Sequence, residues 1–201
     1  MKNLFKTSVL ALTVLLASCD NDDNNTPAAT AAETVTVSNL YAPQSGGQGQ
    51  PVSGAFTKFS FSQNATVTDD SWDIAFRGTS IIVNGGSVIG VTDEPARTGV
   101  AAASTVTGTF ASVTAIPAES TFTQDATGTY AISNWYNYDA ATHIISPVAG
   151  KVYVVKTHDG KYAKFEILSY YKDAPASPEA TTPSRYYTFK FAYKPNDNTT
   201  F

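Results

Sequence analysis

Few residues in this chain carry coordination or proton-transfer chemistry, so each can be weighed singly. There are two histidines, His143 and His158, one cysteine, Cys19, and one methionine, Met1. Imidazole is the side chain best suited to bind a transition metal or to move a proton near neutral pH. His143 follows the aromatic run Trp135-Tyr136-Asn137-Tyr138. That run offers rings for a planar ligand and, in Tyr138, a phenolate ligand for ferric iron. The same aromatics equally suit a core and a sheet face. His143 is either a metal ligand or a loop residue bonded to backbone. His158 falls in Thr157-His158-Asp159-Gly160-Lys161, whose Asp-Gly pair predicts a type I′ hairpin turn with His158 exposed to solvent.

The strand from Lys151 into that turn separates the two histidines. Seven extended residues span roughly 20 Å, and a single metal with bonds of about 2 Å cannot bridge that gap. Asp69 and Asp70 are adjacent acids in a predicted turn and read as solvated. Gly-x-Ser-x-Gly is absent, and neither Gly-Gly pair precedes a helix. With no catalytic constellation, the expectation is a binding protein and not an enzyme. With one cysteine, a disulfide scaffold and a multi-thiolate zinc site are both excluded.

These residues need a scaffold, and the composition says which. The 201 residues include 11 Tyr and 11 Phe, with 42% hydrophobic and only 15% charged residues, which favours a β-rich secreted domain. Net charge is −4, and −6 once Lys2 and Lys6 leave with residues 1–18. No run of Lys and Arg exists, so nucleic acid is not an expected partner.

Lys2 and Lys6 precede an apolar segment, Val9 to Ala17, too short to span a membrane. Leu16-Ala17-Ser18-Cys19 then matches a bacterial lipobox, so residues 1–18 read as a lipoprotein signal peptide and Cys19 as the lipidated N-terminus. The alternative is an ordinary signal with a chance cysteine. Residues 19–33, acidic and then Ala/Thr-rich, read as a flexible tether. Lipid on Cys19 would anchor the protein to the outer membrane. The acidic run behind it is either a plain spacer or a signal for display at the cell surface.

From residue 34 to 201 the pattern predicts one all-β, mostly antiparallel domain with long loops. Expected strands are Thr34–Ser38, Phe56–Ser62, Ser71–Arg77, Ser80–Val83, Lys151–Thr157, Tyr162–Tyr171 and Arg185–Tyr193. Trp72, Ile74 and Phe76 should share one face. So should Tyr187, Phe189, Phe191 and Tyr193. On Tyr162–Tyr171, Phe165 and Ile167 should point to one side and Lys164 and Glu166 to the other. Ala42–Gly54 and Ala140–Pro147 read as loops. Ser87–Ser104 reads as a long excursion with one short strand. Val113–Gly128 reads as a loop with a short turn of helix, of a length that often marks a binding loop.

Three segments together are similar to the HmuY family of Bacteroidetes lipoproteins. They are Trp72–Phe76 with Asn84-Gly85-Gly86, the hairpin Lys151–Tyr171, and Tyr186–Phe191. The similarity runs from about residue 34 to about residue 194. It implies an all-β fold and capture of haem at the cell surface, followed by transfer to a TonB-dependent outer-membrane receptor. It also implies two axial His or Met ligands, one from the irregular middle of the chain and one from the loop before the hairpin. Ser87 to Ser133 holds neither residue type, and the second position falls near Ala140, with His143 the nearest imidazole. The candidate site is therefore Tyr136, Tyr138 and His143, with His143 as the metal ligand. The alternative is an accessory or adhesion β-domain that binds protein or glycan and has no haem site.

Overall fold

The computed structural model describes residues 29–47, 49–197 and 199–201. The signal, Cys19 and most of the proposed tether lie outside the described residues. Fifteen strands are present among those described: β1 Thr30–Ala31, β2 Thr34–Tyr41, β3 Ser45–Gly47, β4 Gln50–Ser53, β5 Thr57–Ser60, β6 Ala65–Val67, β7 Ile74–Arg77, β8 Ser80–Val83, β9 Ala102–Thr107, β10 Tyr136–Asp139, β11 Ile144–Pro147, β12 Lys151–Lys156, β13 Tyr162–Tyr171, β14 Ser184–Lys194 and β15 Thr199–Thr200. Two short 3-10 helices, Phe110–Ser112 and Glu119–Thr121, interrupt them. The all-β, mostly antiparallel expectation is met.

A five-stranded antiparallel sheet, β2-β14-β13-β12-β9, faces a four-stranded one, β6-β5-β7-β8. The alternation of the sequence explains the space between them. Tyr153, Val155, Phe165, Ile167, Tyr187, Phe189 and Phe191 point inward from the large sheet. Phe59, Phe61, Ile74, Phe76, Ile81 and Val83 meet them from the small one. Aromatic edges meet aromatic faces across the gap: Phe59 lies 5.3 Å from Phe189 at 86°, and Phe76 lies 4.7 Å from Tyr187.

Both outer faces are covered as well, and this corrects two readings. Trp72 does not share a face with Ile74 and Phe76. It packs with Phe56, Ala75, Ile82 and Ile89 on the far side of the small sheet. The strand begins only at Ile74 because Asp73 occupies a bend, so strict alternation fails one residue earlier. Lys164 falls on the outer face of the large sheet as expected, but it is buried there. Its Nζ donates to the carbonyls of Phe110 (2.9 Å) and Val113 (2.7 Å) and stands 4.4 Å from the Phe110 ring. Lys164→Met should therefore cost about 1–3 kcal/mol, because two buried carbonyls lose a charged donor. Urea unfolding would measure it.

Loops also hold more order than expected. Ala42–Gly54 contains the β3–β4 ribbon, and Ala140–Pro147 contains β11. Thr30–Ala31, inside the span read as tether, pair in parallel with Thr199–Thr200 of the expected tail. The β12–β13 turn is not type I′. Asp159 is absent from the residues with positive φ, and only Gly160 is left-handed, at +82°. Gly160 N–H donates to Thr157 O (3.0 Å) and Thr157 N–H to Lys161 O (2.8 Å), a type I turn closed by a glycine bulge.

Candidate functional site

The site grows from the β10–β11 hairpin. Its strands pair Tyr136 with Pro147 and Asp139 with Ile144. Asp139 Oδ1 accepts the backbone N–H groups of Ala141 (2.8 Å) and Thr142 (3.4 Å), a side-chain turn that starts the reversal. Those hydrogen bonds hold the Asp139 carboxyl below its usual range. His143 ends the reversal in the left-handed region, at φ +59°. That conformation is uncommon for a residue with a side chain and signals a local constraint.

The constraint has a chemical result. His143 Nδ1 and Tyr138 Oη are 2.6 Å apart at the tip. If Nδ1–H donates to the phenol oxygen, Nε2 keeps a free lone pair, the arrangement that prepares an imidazole to bind a metal. Tyr138 is 54% exposed, so the pair faces solvent. Tyr136 belongs elsewhere. Its ring packs on Trp135, at 4.7 Å, and against the core. Trp135 is buried, and its indole N–H donates to Thr79 O at 2.9 Å. The aromatic run therefore divides. Trp135 and Tyr136 root the hairpin, and Tyr138 with His143 forms its tip.

A cleft of about 280 Å³ opens beneath the tip of the hairpin, along β11. His143 and Ile145 form one wall. Tyr170 and Tyr171 from the end of β13, and Ser184 and Arg185 from the start of β14, form the other. Two neighbouring tyrosines cannot both point inward from a regular strand. Here register shifts between Ile167 and Ser169, and between Ser169 and Tyr171, turn both rings in, while Leu168 is left 43% exposed. Tyr171 Oη accepts the N–H of Ile145 (2.9 Å), which ties the hairpin to the sheet. Burial pushes the Tyr170 phenol up to about 12, while Arg185 beside it pulls the other way. Sequence reasoning missed Tyr170, Tyr171 and Arg185 because the bulges that aim the tyrosines leave no mark in the alternation.

His158 is not the free turn residue expected. Its backbone N–H and its Nδ1 both reach Asp73 Oδ1, at 2.9 and 2.7 Å, and its side chain is only 24% exposed. It sits at the Tyr162 end of β13, whereas the cleft is at the Tyr171 end, roughly 30 Å away along ten residues. The two histidines are thus separate, as the spacing argument required. The described residues hold no group of three or more His, Cys, Asp or Glu placed to bind a metal. Burial raises the Asp73 carboxyl above its ordinary value of 3.8, against the hydrogen bonds from His158 and Phe61. A raised acid contributes stability that is full below the unfolded value and is lost as pH rises through the folded one. The stability of wild type relative to Asp73→Asn should therefore fall as pH climbs through and above 3.8. Paired denaturation curves across that range would show the slope, and a rising difference would contradict it.

The HmuY protein family model matches residues 54–191. The chain belongs to the HmuY family. Comparison with curated proteins gives no match. Among solved structures, an HmuY-like heme binding protein from Bacteroides vulgatus is 16% identical, with 82% of this chain and 92% of that one covered and a TM-score of 0.47. The apo HmuY analog of Tannerella forsythia is 14% identical over 82% and 96%, with a TM-score of 0.46. A lipoprotein from Bacteroides fragilis is 17% identical over 83% and 92%, with a TM-score of 0.45. The HmuY match covers the β12–β13 hairpin, β7 with its Trp72-Asp73 lead-in and most of β14, the three segments that the sequence singled out. It also covers the β10–β11 hairpin.

Proposed function

We propose that this HmuY-family chain is a non-catalytic, lipid-anchored binding protein for haem or a related tetrapyrrole, displayed on the outer membrane for iron acquisition. Family membership supports the class of ligand, and the lipobox ending at Cys19 supports the anchor. Transfer of the ligand to a TonB-dependent outer-membrane receptor belongs to the same proposal. The observation that carries it is the exposed tip of the β10–β11 hairpin, where Tyr138 holds His143 through Nδ1.

Among the described residues, one imidazole, that of His143, is placed to serve as an axial ligand. His143 Nε2 is the available donor. His158 is committed to Asp73 at the other end of the molecule, and Met1 is the only methionine. Bound haem would supply the iron that the imidazole ligates. The chain's own residues orient that imidazole and, through Tyr171 and Trp135, hold the hairpin in place. The buried carboxylates Asp73 and Asp125 are each taken up by backbone N–H groups and one cationic or imidazole partner, which suits scaffold duty and not proton transfer.

Titrating the purified chain from Asp20 onward with haem, and following the Soret band, tests the reading. Wild type should saturate at micromolar haem. His143→Ala should bind at least tenfold more weakly. Tyr138→Phe should lose about 10–100-fold or less, as removal of an outer-shell partner does. An unchanged titration in His143→Ala would reject the named ligand. The second reading, an accessory or adhesion domain that binds protein or glycan, is favoured by one observation. The cleft beside His143 is lined by hydroxyl, amide and guanidinium groups, a surface suited to a polar ligand.

A further inference from the structure

We infer that the cleft beneath the tip of the β10–β11 hairpin binds a carboxylate, with the Arg185 guanidinium as its receptor. The sequence has three arginines, and the structure employs them differently. Arg77 spends its guanidinium on the carbonyls of Gly54 and Thr92 beneath the Phe56 ring. Arg97 is enclosed between Glu94 and Asp125. Arg185 is half-buried and lines an open cleft that has no Asp or Glu in its wall. One of its nitrogens, Nη1, donates to Gln44 O at 2.8 Å, and the group also meets the Tyr170 hydroxyl, which together orient the planar guanidinium and leave its remaining N–H donors for a ligand. A guanidinium fixed in this way matches the two oxygens of a carboxylate.

The rest of the wall agrees. Tyr171 Oη already accepts from Ile145, so its own proton is left to donate. The hydroxyl groups of Thr79 and Ser184 and the His143 imidazole add further polar contacts. The backbone is held in an uncommon conformation on both sides. Arg185 lies at φ +69° and His143 at φ +59°. Left-handed residues with large side chains persist only where their surroundings enforce them, and they gather at ligand clamps. Arg185 is enforced by its carbonyl, which accepts the N–H of Ala42 at 2.8 Å.

A carboxylate has two carriers here, the side-chain acid of a tetrapyrrole and an acidic saccharide. The first rests on the function proposed above, and the second does not. The purified protein is titrated with metal-free protoporphyrin IX and with its dimethyl ester, read by fluorescence. In parallel it is titrated with glucuronate and with glucose, read by calorimetry. Arg185→Gln and Arg185→Lys are run beside wild type, with a thermal melt of each.

The inference predicts at least tenfold tighter binding of the free porphyrin than of its ester, or binding of glucuronate without glucose. Arg185→Gln should erase that preference, and Arg185→Lys should restore part of it. Because the ester comparison uses wild type alone, a variant that misfolds does not cloud the result. Equal binding of porphyrin and ester, with no preference for glucuronate, overturns the carboxylate site and leaves the tetrapyrrole reading standing. Binding of glucuronate, with no porphyrin bound, upholds the site and removes the tetrapyrrole reading. No binding of any of the four overturns the inference.

Discussion

Trp72→Ala should lower the unfolding free energy by about 3–5 kcal/mol, the range for deleting a large aromatic from a packed site. Trp72 is 0% exposed and sits among Phe56, Ala75, Ile82 and Ile89, with Tyr130 and Val91 closing the cluster from outside. These neighbours come from three strands or strand ends and from the excursion after β8, so they cannot collapse into the vacancy without moving a sheet. The indole N–H has no hydrogen-bond partner among the described residues, so what the position uses is volume. Trp72→Phe should accordingly cost much less than Trp72→Ala. Circular-dichroism melts of both variants would measure the difference. The cluster is on the outer face of the small sheet, away from the hairpin tip, so ligand affinity below the melting temperature should stay at wild-type level. A Trp72→Ala protein that kept its melting temperature and lost only ligand would show that Trp72 belongs to the site.

The loss of Asp125 should be comparably severe, about 3–5 kcal/mol for Asp125→Ala, as when one member of a buried ion pair is removed. Its carboxylate joins pieces far apart in the chain. Oδ2 accepts from Val83 N at 2.9 Å and Arg97 Nη2 at 3.0 Å, and Oδ1 accepts from Ala131 N at 2.8 Å. Arg97 in turn reaches Glu94 at 2.7 Å, and Glu94 accepts the N–H groups of Ile89, Gly90 and Val91. This network pins the excursion between β8 and β9 to the sandwich. Its removal strands two backbone donors and leaves Arg97 with a single acid. Hydrogen exchange should show residues 87–101 opening before the β12–β13–β14 core. Uniform protection across the chain in Asp125→Ala would contradict this.

Much of the frame was legible because period-two alternation is a direct consequence of the pleat. Tyr187, Phe189 and Phe191 were placed together on β14, and Phe165 and Ile167 on β13, and the sandwich interior bears this out. The errors have two causes. Alternation assumes one wet face, but in this fold loops cover the outside of both sheets, so Lys164 is buried there. It also assumes an unbroken strand, and the bend at Asp73 turns Trp72 outward. His158 looked free because nothing near it in sequence is acidic on the right side. Its partner, Asp73, is 85 residues away.

At the site, the chemistry-bearing residues Tyr138 and His143 were visible, and their pairing was not. The Asp139 turn that brings them together was hidden by reading Ala140–Pro147 as a loop. Tyr170, Tyr171 and Arg185 stayed out of view for another reason. β-bulges and a left-handed arginine are set by tertiary packing and not by local residue preference.

The spin state of the ferric haem complex tests the account most directly, because it reports how many protein side chains reach the iron. With His143 as the single imidazole ligand, wild type should give a high-spin electron paramagnetic resonance signal, and His143→Ala should lose the imidazole-ligated species. A low-spin spectrum of two protein ligands in wild type, or an identical spectrum from His143→Ala, would contradict the assignment of the hairpin tip as the site.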